Sequence, residues 1–171
     1  MRYVMVSLLI IGLFSSSVSA GQARGGGAAA KSGIKACSLL TKDLALKVSG
    51  AANKQIFNLP PQEDSLGASG SACTYGDITL QIDAFRPDVI DQTAKGQTRG
   101  AASSRSANWV PVSGVGDRAY FNAGDRNFAE LMGYVGMRTF TIQVSIPFQS
   151  TAENMKPNAI ALANAIIPKL K

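Results

Sequence analysis

Apolar residues recur at two different spacings along this chain, and the switch between them separates helices from strands. Leu40, Leu44 and Val48 fall every fourth position, and Leu39 and Leu46 widen the stripe. That spacing predicts a helix over residues 38–49, capped by Ser38 or Thr41 and stopped by Gly50. Cys37 would stand just before it. Further on the period drops to two. Ile78, Leu80, Ile82 and Ala84 alternate with Thr79, Gln81 and Asp83, which predicts a strand over 77–85 with one buried face. Residues 72–75 make a shorter strand before a turn at Gly76. Strands are predicted at 118–122 and 127–135 around a turn at 123–125. A strand through 137–146 follows the tight turn at Gly136-Met137, with Phe140, Ile142, Val144 and Ile146 on one face. The helical period returns at 151–170, where Ile160, Ala163, Ile167 and Leu170 form a stripe. Pro157 belongs to the first turn of that helix or splits off an earlier one.

The remaining segments give weaker patterns. Gln55 to Phe57 reads as a short strand, and 59–71, rich in Pro, Gly, Ser and acid, as a loop. Residues 87–102 read as a weaker helix. Pro87 suits its first turn, Asp88 and Asp91 complement its dipole, and Gly96 and Gly100 weaken its second half. Residues 103–108 read as loop, and Pro111, Gly114 and Gly116 bend the chain over 109–116. The whole is an α+β pattern: an antiparallel sheet, N- and C-terminal helices packed on one face, and a weaker middle helix.

The chain opens differently. Arg2 supplies a positive start, residues 4–14 are apolar or small, and Val18 and Ala20 stand where a signal peptidase reads. This is the three-part pattern of a secretory signal peptide over residues 1–20. The rival, a retained membrane anchor, needs about 20 apolar residues, and the core here is shorter. Gly21 occupies the position at which a lipoprotein would carry cysteine. Residues 21–35 form a Gly/Ala-rich basic leader, and 36–171 a single α+β domain. The expected location is the periplasm or the medium.

Composition narrows the chemistry. The 171 residues contain no histidine, two cysteines and a net charge of +6. Without histidine there is no Ser-His-Asp or Cys-His arrangement. An even cysteine pair in an oxidising compartment reads as a Cys37–Cys73 disulfide. The alternative, a reactive thiol, has no activating histidine and no CxxC partner. With both cysteines so used, no metal site and no cofactor are expected. The basic excess lies on Arg24, Lys31, Lys35, Lys42, Lys47 and Lys54. It could make a weak, salt-sensitive contact with an anionic membrane or envelope surface. Nucleic acid is not an expected partner, because no basic stripe is interleaved with aromatics.

Seven aromatics gather in the C-terminal half: Trp109, Tyr120, Phe121, Phe128, Tyr134, Phe140 and Phe148. They serve equally as core or as contact surface. Trp109, beside a bend, Tyr120 and Phe121, on opposite faces of one strand, and Arg118 are the binding candidates. Asp117 caps the bend or pairs with Arg118.

Three patterns occur in order: Cys37-Ser38-Leu39-Leu40-Thr41, Cys73-Thr74-Tyr75, and Val112-Ser113-Gly114-Val115-Gly116-Asp117-Arg118-Ala119-Tyr120. Together they resemble a group of small bacterial exported proteins and lipoproteins of unknown function, some of them sensor-like or ligand-binding. The resemblance spans about residues 36 to 170. It implies an α+β domain with a Cys37–Cys73 bridge and brings no catalytic residues.

A well-patterned scaffold poor in reactive groups is expected to be an exported, non-enzymatic binding module. Its partner would be a protein or an envelope component. An inhibitor or immunity factor against an envelope hydrolase or toxin is the second expectation. A hydrolase using carboxylates or a Ser-Lys pair is the third.

Overall fold

The structure is a computed structural model, and it describes residues 33–51, 54–67, 69–96, 108–122, 127–147 and 150–171. The expected signal segment, the leader up to residue 32, the second half of the middle helix, the turn at 123–125 and Phe148 lie outside these residues.

Among the described residues seven strands make one sheet: β1 (Gln62–Leu66), β2 (Gly70–Tyr75), β3 (Ile78–Ile82), β4 (Trp109–Val112), β5 (Arg118–Asn122), β6 (Phe128–Val135) and β7 (Arg138–Ser145). The order across the sheet is β1-β2-β3-β7-β6-β5-β4, and every pairing is antiparallel. The edges are β1, whose side chains are mostly exposed, and β4, which carries Pro111. Among the described residues four helices accompany the sheet: α1 (Ala36–Leu39), α2 (Lys42–Val48), α3 (Pro87–Ala94) and α4 (Ala152–Leu170). The fold is α+β, as the sequence pattern predicts.

Strand alternation decides which face is the core. Leu80, Ile142, Leu131, Phe121 and Val110 form one cross-strand row, and Ile78, Val144 and Ala129 another. These side chains pack against α1, α2 and α4. From α4, Met155, Ala159, Leu162, Ala163, Ile166, Ile167 and Leu170 are buried. Three of the four predicted stripe positions, Ala163, Ile167 and Leu170, are thus buried, while Ile160 is only half-buried and Ala159, Leu162 and Ile166 widen the stripe. Pro157 and Pro168 both lie within α4, so Pro157 neither opens the helix nor splits it.

The first predicted helix is two helices. The backbone leaves helical geometry at Leu40, and Thr41 restarts it by accepting a hydrogen bond from the Leu44 amide. Both Leu39 and Leu40 are thereby buried, which a single regular stripe would not require. Cys37 lies inside α1 rather than before it. Its bond to Cys73 ties α1 to β2.

Three other differences share one cause: tertiary contacts override local pattern. Residues Lys54–Asn58 form a 3₁₀ turn, not a strand. It drops Phe57 into the core edge-on to Tyr75, whose hydroxyl donates to the Phe57 carbonyl. The expected loop at 59–71 contains β1, a strand of sequence QEDSL that gives no apolar signal because it lies at an edge. The strand expected over 77–85 ends at Ile82. There Asp83 takes a positive φ of 51° and is held by Arg138 and by the Thr139 amide.

Helix α3 takes a side of the sheet that the sequence pattern left open. Asp91 on α3 bonds Arg118, Tyr120 and Tyr134. These residues alternate with Ala119, Phe121 and Val135, which belong to the core. The middle helix therefore lies on the other side of the sheet from α1, α2 and α4.

Candidate functional site

The sheet face away from α1, α2 and α4 is built from polar and aromatic positions. Three cross-strand rows run over it. Arg118, Tyr134 and Thr139 form the first. Pro111, Tyr120, Met132, Thr141 and Gln81 form the second. Trp109, Asn122, Glu130, Gln143, Thr79 and Thr74 form the third. Helix α3 covers part of this face, packing on β6 and β7. Its Ile90 is buried, as are Met132, Thr139 and Thr141.

At the rim of α3 the three elements converge on one carboxylate. Asp91 Oδ1 accepts from the Tyr120 hydroxyl at 3.0 Å. Oδ2 accepts from Arg118 at 3.0 Å and from the Tyr134 hydroxyl at 3.3 Å. The physical cause is placement. Tyr120 and Arg118 are two apart on β5 and so share a face, and Tyr134 is the cross-strand partner of Arg118. Burial, then the hydrogen bond and charge of Asp91, raise the Tyr120 pKa above its usual value. Burial and the charge of Asp91 do the same for Tyr134. Both phenols stay protonated and donate. Hydrogen bonding to Tyr120 and the charge of Asp91 hold Arg118 more firmly protonated than usual. A carboxylate with donors on both oxygens ties the helix layer to the sheet.

Trp109 shares this face at the sheet edge and is partly exposed. Its Nε1 is buried without a hydrogen-bond partner among the described residues. Farther along the same row, Gln143 donates to Glu130 at 3.0 Å.

Three of the four binding candidates, Trp109, Arg118 and Tyr120, thus share one face. Phe121 does not. It is fully buried in the core, with Lys156 of α4 lying 5.1 Å from its ring centre. The bend at 112–120 is a joint. Asp117 accepts from the Gly136 amide at 2.6 Å, and its own amide donates to the Tyr134 carbonyl. Asp117 thus caps the β6–β7 turn, and Arg118 pairs with Asp91 instead. Asp91 is the participant that sequence reasoning missed. A first-turn carboxylate reads as a dipole complement, and only Asp88 fits that reading, paired with Arg86 at the exposed start of α3. The available signal was the i, i+2 placement of Arg118 and Tyr120, both needing an acceptor on one face.

On the opposite side of the molecule Lys35, Lys42, Lys47 and Lys54 are all exposed. There too lies the one group among the described residues with metal-ligand spacing, Cys37, Glu63 and Cys73. In the bridged chain its two sulfurs are bonded to each other.

The molecule is a single-sheet α+β domain with a half-covered polar and aromatic face. No protein-family model, curated protein or solved structure matches the chain.

Proposed function

We propose that this chain is an exported, non-enzymatic binding module of the bacterial cell envelope, and that it meets its partner on the sheet face shared by Trp109, Arg118 and Tyr120. The observation that carries this reading is the convergence of those three residues on one face that α4 leaves uncovered. Tyr, Trp and Arg are the side chains that most often anchor protein contacts. Export draws support from the Cys37–Cys73 bridge, which suits an oxidising compartment. No helix among the described residues is long and apolar enough to cross a membrane. The hydrolase alternative has less support, because Asp91, the carboxylate that α3 brings to this face, already accepts three donors.

A photo-crosslinking residue at position 109, compared with one at exposed Asn164 on α4, tests the reading in living cells. Capture of a defined species from position 109 and not from 164 supports it. Equal capture from both, or none from 109, counts against it.

A further inference from the structure

We propose that the reduced form of this chain carries a zinc site made by Cys37, Cys73 and Glu63, so that the bridge and the metal are alternative ways of tying α1 to the sheet. The two sulfurs and a Glu63 oxygen lie within 4.8 Å of one another. Tetrahedral zinc with sulfur bonds of about 2.3 Å needs ligand atoms roughly 3.8 Å apart. The Cα atoms of the pair are 4.9 Å apart, so zinc would require the two sulfurs to separate from bonding distance to that spacing.

The three residues come from three elements held in fixed register. Glu63 on β1 is the direct cross-strand partner of Cys73 on β2. Cys37 lies on α1, above them. The Glu63 carboxylate is already positioned. Its Oε1 accepts from the Ala36 amide at 2.9 Å and from the Ser71 hydroxyl, and its Oε2 from the Cys37 amide at 2.8 Å. These donors act as the outer partners that orient a metal-binding carboxylate. Access is one-sided. Cys73 is fully buried, Cys37 is half-buried and Glu63 is exposed. A cation would enter past Glu63 and keep a fourth position for water. Two thiolates and one carboxylate favour zinc over calcium or magnesium.

The chemistry balances with a dithiol as reductant. The dithiol passes two electrons and two protons to the Cys37–Cys73 bond and closes its own disulfide. Zinc then displaces the two thiol protons, so tight binding releases two protons per metal. The bridged chain has no thiolate to offer.

The test uses the purified chain, reduced with dithiothreitol, freed of reductant without air and titrated with Co²⁺ and then Zn²⁺. One Co²⁺ per chain with thiolate-to-cobalt charge-transfer absorption, displaced by Zn²⁺, is expected. Zn²⁺ should also raise the melting temperature of the reduced chain and leave that of the bridged chain unchanged. Glu63→Gln should weaken binding by roughly tenfold or more while leaving the charge-transfer band. Cys37→Ser keeps the carboxylate and should lose tight binding, which covers the case in which Glu63→Gln fails to fold. Absence of stoichiometric binding to the reduced chain overturns the proposal. So does a reduced chain that neither folds nor is restored by Zn²⁺, or affinity unaltered in both variants.

Discussion

Asp91 on α3 and Tyr120 on β5 meet at 3.0 Å although 29 positions separate them in sequence. Their contact, with those of Arg118 and Tyr134 to the same carboxylate, fixes how far α3 stands from the sheet. Asp91→Ala removes the acceptor of two partly buried hydroxyls. It should cost about 1–3 kcal/mol in urea unfolding. Hydrogen exchange in α3 should rise while α4 stays protected. Unchanged exchange in α3 would show that Ile90 alone suffices to seat the helix.

The two phenols also set a pH dependence. Tyr120 and Tyr134 have folded-state pKa values raised above 10.0, the ordinary phenol value. A raised pKa means that the protonated form is favoured by folding. Their contribution is therefore fully present below about pH 10 and is lost as pH rises through the folded values. Stability measured from pH 8 to 11 should fall at the alkaline end. The fall should be shallower in Asp91→Ala, where one cause of the shift is gone. Ultraviolet titration of phenolate should show the late ionisation directly.

Reduction of Cys37–Cys73 in chelator should lower stability by about 3–4 kcal/mol if the loop-entropy account holds. Calorimetry of bridged and reduced samples measures it. An unchanged melting temperature after confirmed reduction would place the stability of this region in the packing of Leu39 and Leu40 instead.

Gly116 sits at φ +60°, and a Cβ there would collide with the Tyr134 carbonyl oxygen. That carbonyl accepts the Asp117 amide, so it is not free to move. Gly116→Ala should cost about 1–3 kcal/mol from backbone strain alone. Gly114 is also at positive φ but has open space around its Cβ position, so Gly114→Ala should cost less. Equal losses in the two variants would refute the steric argument.

What could be read from the sequence follows from where each residue gets its instructions. The strands around Ile78, Leu131 and Phe140 were legible because alternation is imposed by a face that is buried along its whole length. The helix over residues 151–170 was legible for the same reason. β1 was not, since an exposed edge strand such as QEDSL needs no apolar residue. The 3₁₀ turn at Lys54–Asn58 was hidden because Phe57 is placed by Tyr75, eighteen positions away. Of the candidate face, Trp109, Arg118 and Tyr120 were visible as residue types with contact character. Phe121 was misplaced because alternation alone does not say which of two adjacent aromatics turns inward. Asp91 was invisible because it sits on a separate element whose side of the sheet no local pattern specifies.

The two ends of the sheet have a consequence for a molecule that works among its own copies. On one flank Pro111 withholds an amide hydrogen from any newcomer, and on the other exposed Asp64 places negative charge on the outermost strand. Two identical chains brought edge to edge through β1 would repel. The sheet thus terminates itself, and crowding alone should not extend it into a fibre.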